Sequence, residues 1–280
     1  TSNSFLTTGT GSIIVRGAKG NGASCYGIYN NSTNAIVSSG TGNITLLADA
    51  FYQINPGAGN YDVSAAGSLT IAPYTAATTM GVGSGAGTLS FSDTYIGYTS
   101  AASYVFGSTS AGNVTVNTTN NFGTKNVTFI SGGDVTFSGA YTSTGNGALT
   151  VDAYGNILVS SAITTANGAV TLQSDYDGNS SGAVYITANI TTGGGNLTIG
   201  GGSGAITAAT LNADGSVASA ATGYAVGNST YSRGVYIGAT TVDAGGGNIL
   251  INGLGYTAGT ASSNVGVWQG SANTLKTSGS

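Results

Sequence analysis

Short runs in which apolar and polar residues alternate recur along the whole chain, as in Ile44-Thr45-Leu46, Val170-Thr171-Leu172 and Leu197-Thr198-Ile199. A period of two puts the apolar members on one side of an extended segment, which predicts strands with one buried face. Each run follows a glycine, and that glycine lies five positions after another apolar residue. Six copies of the resulting unit are readable: Leu6 to Val15 around Gly11, Val37 to Leu46 around Gly42, Val82 to Phe91 around Gly87, Ile163 to Leu172 around Gly168, Ile190 to Ile199 around Gly195, and Val242 to Ile251 around Gly247. Each predicts a strand, a turn and a second strand, because glycine enters turns without a Cβ clash and Asn tolerates the left-handed region.

A longer match shows that the sequence itself repeats. Gly182-Ala-Val-Tyr185 leads into the unit at Ile190, and Gly234-Val-Tyr236 leads into the unit at Val242. Similar lead-ins, Gly27-Ile-Tyr29 and Gly266-Val-Trp268, precede Val37 and Leu275. Spacings of 31, 27, 52 and 33 residues between anchors predict loops of variable length on a regular coil. A single strand pair cannot bury its apolar face, whereas stacked repeats join such faces into a continuous interior. The expected fold is all-β, a right-handed parallel β-helix (β-solenoid) with loose repeats of about 20–30 residues. Residues 1–280 are read as one β-helix segment, cut from a longer array or stacking end to end as a fibre module, since Leu6 and Leu275 stand at nearly the same phase.

Composition supports strands and removes most chemistry. There are 49 glycines, and Val and Ile outnumber Leu, which disfavours helices. Only five cations and nine acids occur, all nine being aspartates, and histidine is absent. Histidine-dependent triads and Cys/His zinc clusters therefore cannot form within this chain. Cys25 is single and closes no internal disulfide. Five cations on an acidic chain cannot neutralise a phosphate backbone, so no nucleic-acid partner is expected. No apolar run approaches the ~18 to 20 residues of a spanning helix, so no membrane insertion is expected.

The repeats, above all Gly-Gly-Gly-Asn248-Ile249 and Gly-Gly-Gly-Asn196-Leu197 with their Gly-Val-Tyr lead-ins, resemble those of filamentous haemagglutinin-like exoproteins. These are large bacterial β-helix adhesins of the two-partner-secretion type. The resemblance is one of repeat style and covers most of the chain. It implies a secreted fibre at a bacterial cell surface, active in attachment or aggregation, with a cell-surface receptor, a glycan or further copies of itself as partner. The family's secretion domain is not recognisable, and no Arg-Gly-Asp occurs, since Arg16 and Arg233 are followed by Gly-Ala and Gly-Val.

Four local features compete with a purely structural reading. Asp175-Tyr-Asp177-Gly-Asn179 resembles the opening of a calcium loop, in which alternate oxygens surround a hard cation, although the closing glutamate is missing. The alternative there is a solvated turn. Asn43, Asn113, Asn126, Asn189 and Asn196 begin Asn-x-Thr sequons, a pattern that β-helix corners also produce. Tyr29, Tyr185, Tyr236 and Trp268 hold related repeat positions, which suits sugar stacking or a packed ladder. The remaining aspartates, Asp49, Asp62, Asp93, Asp134, Asp152, Asp214 and Asp243, stand singly along the chain. Hydrolysis of a polysaccharide, the enzymatic alternative on this architecture, needs two carboxyls about 5 to 9.5 Å apart, so no enzymatic activity is expected. Ice binding needs a flat Thr face in perfect register, which the loose period opposes.

Overall fold

A computed structural model describes residues 5–7, 9–22, 25–31, 35–38, 40–55, 57, 60–258 and 263–277. The strands belong mainly to three parallel sheets. An 11-stranded sheet carries, among others, Val63–Ala72, Thr99–Ser108, Asn126–Ser131, Leu149–Ala153, Val170–Ser174, Leu197–Gly201 and Ile249–Ile251. An eight-stranded sheet carries Val114–Asn117, Val135–Phe137, Ile157–Val159, Val184–Ile186, Val235–Ile237 and Val267–Gln269, with Met80–Gly83 and Leu89–Phe91. A five-stranded sheet contains Tyr141–Ser143, Ile163–Thr165, Ile190–Thr191, Thr241–Asp243 and Thr274–Lys276. From Tyr141 onward the chain visits the sheets in turn, so each strand pairs with its counterpart one circuit later. This all-β arrangement of long parallel sheets is compatible with a β-solenoid. No helix among the described residues is long and apolar enough to cross a membrane.

The register explains the alternation. Val114, Val135, Ile157, Val184 and Val235 align across successive strands, as do Leu149, Val170 and Leu197 on a second sheet and Ile163, Ile190 and Val242 on the third. All of these side chains are fully buried. Parallel pairing stacks like on like about 4.8 Å apart, and β-branched side chains pack well on that pleated surface. Burying one such side chain contributes about 1.5–3 kcal/mol, so the columns hold the circuits together.

Corners are built from asparagine and glycine. Asn43, Asn113, Asn126, Asn189 and Asn196 each accept, through Oδ1, a backbone N–H of the next circuit at 2.8 to 3.0 Å. Every sequon asparagine named above is thus an inter-circuit acceptor. Over two of these acceptors a glycine makes room, because a methyl group at Gly67 or Gly133 would overlap Asn43 or Asn113 Oδ1. Buried hydroxyls close the adjoining turns: Ser143 donates to Gly123 O at 2.6 Å, Thr165 to Gly168 O at 2.6 Å and Thr192 to Gly195 O.

Two units depart from their expected phase. In the second copy the buried residue is Ile36, not the anchor Val37, which is half-buried. Ile36 lies eight residues before the start of the next strand at Ile44, whereas Ile163 lies seven before Val170. A turn one residue longer reverses which side chains face inward. The third copy, Val82 to Phe91, joins no two sheets: Met80–Gly83 and Leu89–Phe91 pair directly with one another, Met80 opposite Leu89 and Val82 opposite Phe91. One short helix, Asp93–Gly97, forms despite the composition. Ser92 caps it by accepting from Tyr95 N, and the Asp93 carboxylate accepts from Thr118, Thr119 and Asn120.

The 52-residue spacing has a specific cause. Between Leu197–Gly201 and Val235–Ile237 the chain leaves the circuit as an antiparallel hairpin, Thr210–Leu211 with Val217–Ser219. Its residues are exposed, including Leu211 and Val217. Asn189 and Asn196 still reach Thr241 and Asn248 across the insertion, so the register is kept and the arm lies wholly outside it.

Candidate functional site

The outward aromatic positions form a ladder in register, Tyr185 beside Tyr236 and Tyr236 beside Trp268. The Tyr185 and Tyr236 rings stack at 5.0 Å and 29°, and Tyr29 stacks on Tyr52 at 4.5 Å and 7°. Arg233 places its guanidinium 5.2 Å from the Tyr236 ring centre and 4.6 Å from that of Trp268. Ring-on-ring and ring-on-guanidinium contacts of this kind are those of a packed ladder, and Tyr29 and Trp268 remain exposed within it.

Most carboxylates serve as local acceptors. Asp49 receives Thr75 N and Oγ1, Asp134 receives Asn156 N, and Asp214 receives Ser216 N and Oγ. Asp243 accepts from Gly245 N and pairs with Lys276 at 2.9 Å. Asp62 and Asp152 differ: burial raises each carboxyl to about 6, and both Asp62 oxygens are buried without a hydrogen-bond partner. A perturbed pair of this kind is a catalytic signature only when the two groups meet. Asp62 precedes Val63–Ala72 and Asp152 lies in Leu149–Ala153, with Thr99–Ser108 and Asn126–Ser131 between them. Three strand steps of about 4.8 Å put them roughly 14 Å apart or more, beyond the two-carboxyl range.

The calcium-loop residues lie in the turn between Val170–Ser174 and Val184–Ile186. Asp175 is buried, and its Oδ1 accepts from Ser181 N at 3.1 Å. Burial raises its carboxyl, with the Asp177 charge adding to the shift and backbone N–H groups of Ser181, Ser180 and Asn179 opposing it. Asn179 turns its amide to Asp177, Nδ2 donating to Oδ2 at 2.7 Å on the exposed side. The turn thus directs Asp175 inward and joins Asp177 to Asn179 outside. Among the described residues no three acidic, cysteine or histidine side chains gather as a metal site.

This turn faces the base of the inserted arm across an open groove of about 570 Å³. Asp175 and Ser180 line one wall, Ser203 and Thr222 the other, and Tyr224 and Leu254 add apolar surface. Two amides fix the walls: Gln173 Nε2 donates to Gly202 O at 2.6 Å and Gly204 O at 2.8 Å, while Asn252 Nδ2 donates to Thr207 O at 2.9 Å and Thr222 O at 2.7 Å. Sequence reasoning singled out Asp175 but not Gln173, Tyr224, Asn252 or Leu254. The available signal was the doubled spacing between Ile190 and Val242, which marks where the chain leaves its repeat. No family model, curated protein or solved structure matches the chain.

Proposed function

We propose that this chain is a structural and adhesive element: a right-handed parallel β-helical stalk or fibre segment of a secreted protein, displayed outside a bacterial cell and mediating attachment, aggregation or filament formation. The observation that carries the reading is the register of the columns, which runs through successive circuits beneath a surface of Thr, Ser and Asn. Stacking in register is what gives a rod its reach and stiffness. The right hand follows the general preference of parallel crossover connections. Ile249, Ile251 and Leu275 border an open depression, on which another copy would continue the columns. A host or neighbouring cell would supply the receptor or glycan.

Electron microscopy of the purified chain, with attachment of chain-coated beads to cells, tests the proposal. Thin rods and attachment above that of uncoated beads are expected. Rounded particles or bare-bead attachment would sink it. The groove beside Asp175 favours polysaccharide binding as a second reading. Cleavage is disfavoured by the separation of Asp62 and Asp152 and by the turn contacts that occupy the other carboxylates. Loss of a measured polysaccharide-cleaving activity on Asp175→Asn would reverse that judgement.

A further inference from the structure

We propose that Tyr29 and Tyr52 form an oxidative cross-linking site, at which peroxide-driven radical coupling fastens two successive circuits with a dityrosine bond. The inference stands apart from the adhesive reading, since it concerns these rings alone. The location is the first argument. Among the described residues, Ile28–Asn30 and Phe51–Gln53 make a two-stranded sheet of three register pairs, outside the three large sheets. A strand pair so short and isolated is marginal by itself, so a covalent link here reinforces a weakly laddered junction.

The second argument is ring geometry. Parallel register sets Tyr29 opposite Tyr52, so both side chains leave the sheet in the same direction from backbones about 4.8 Å apart. Their rings are 4.5 Å apart and only 7° from parallel, which brings the ortho carbons of one phenol close to those of the other. Coupling makes the rings swing out of the stack as the bond forms, and Tyr29, 58% exposed, has room to turn. Tyr26, 37% exposed, stands 5.7 Å from Tyr29 and 5.3 Å from Tyr52. An oxidised Tyr26 can therefore take its electron from either member of the pair and hand the radical on.

The oxidant is a peroxide acting through a haem peroxidase. Each phenol gives up one electron and one proton, and the peroxide is reduced to two waters. The two phenoxyl radicals join carbon to carbon, ortho to oxygen, and each ring then passes its displaced ortho hydrogen to its own oxygen, restoring two phenols. The net loss is two hydrogens. A second stacked tyrosine pair, Tyr185 with Tyr236, is less suited, because the Arg233 guanidinium lies 5.2 Å from the Tyr236 ring centre. A cation held by a ring's π electrons opposes removal of one of them. The Tyr29–Tyr52 bond closes a loop of 24 residues and restricts the unfolded chain as a disulfide would, in a chain whose one cysteine supplies no internal disulfide.

Treatment of the full chain with hydrogen peroxide and a haem peroxidase tests the site. The monomer should gain dityrosine fluorescence and melt at a higher temperature. Cleavage before the aspartates, which cuts between the two tyrosines at Asp49, should yield joined peptides weighing two hydrogens less than their sum, and fragmentation should place the link at Tyr29 and Tyr52. Tyr29→Phe keeps a ring that stacks but has no phenolic hydrogen to lose, and it should abolish the monomer's fluorescence. Tyr52→Phe should do the same, whereas Tyr236→Phe should leave the signal unchanged. If either variant fails to fold, the link mapped in the unaltered chain decides the matter. Absence of dityrosine from the monomer, a link confined to dimers or mapped to other tyrosines, fluorescence that survives both substitutions, or a linked chain that melts no higher would overturn the proposal.

Discussion

The circuits between Asn126 and Ile199 and the arm that follows them are made of the same residue types yet obey different rules. In the circuits, Thr alternates with Val, Ile or Leu, and each inward-facing apolar side chain is buried against its counterpart above and below. In the arm, Leu211 and Val217 stand in equally short strands and remain exposed. A strand in this protein is therefore stabilised by the column it joins, and composition alone does not decide whether a column exists.

Substitutions in matched pairs would break or sharpen that contrast. The largest difference is expected from Leu149→Ala against Leu211→Ala. The first empties part of a fully buried column and should cost about 3 kcal/mol, the second within about 0.5 kcal/mol, both read by denaturant unfolding. Equal costs would refute the column as the source of stability. Next come the glycines. A methyl group at Gly155 would overlap Asp134 Oδ1 and press tightly on the Gly133 backbone, whereas at Gly204 it meets nothing within 4 Å. Gly155→Ala should cost about 2 kcal/mol by forced repacking, and Gly204→Ala should leave the midpoint unchanged.

Asn156→Ala removes the acceptor of Ala183 N, held at 3.0 Å, and should cost about 1–2 kcal/mol by leaving a donor unpaired. Asn212→Ala, at the exposed hairpin, should cost less in the same assay. The last effect is one of pH. Because burial raises Asp62 and Asp152 from 3.8 to about 6 in the folded chain, their contribution is complete below pH 3.8 and is lost as pH rises through about 6. Stability should therefore increase as pH falls from 7 to 5, and Asp62→Asn with Asp152→Asn should flatten that rise. Asp214 is exposed and held low by the Ser216 hydroxyl and backbone N–H, so Asp214→Asn should leave the profile between pH 5 and 7 unaltered.

The strand-turn-strand units at Ile163, Ile190 and Val242 and the alignment of Tyr185, Tyr236 and Trp268 were legible because register stacking forces like residues to recur. Val37 was misassigned because matching glycine to glycine ignores turn length, and a single residue decides which side chain faces in. The Val82 copy shares the pattern, but its two strands pair with each other, a choice made by neighbouring circuits. The groove was hidden for a related reason. Asp175 and Tyr224 lie far apart in sequence, and they line one groove only because Gln173 and Asn252 hold the arm in place. The sequence marked Asp175 as an oxygen donor but could not say which way its carboxylate turns.

The inter-circuit bonds, from the backbone ladders to the Asn189 and Asn196 amides, all run along the direction in which the circuits stack. A pull along that direction loads them one circuit at a time, as in opening a zip, instead of shearing many together. Each released circuit of 21 to 27 residues would add about 70 to 95 Å of slack, and the interrupted one about twice as much. A chain built this way yields in small steps, losing one circuit while those beyond it stay folded.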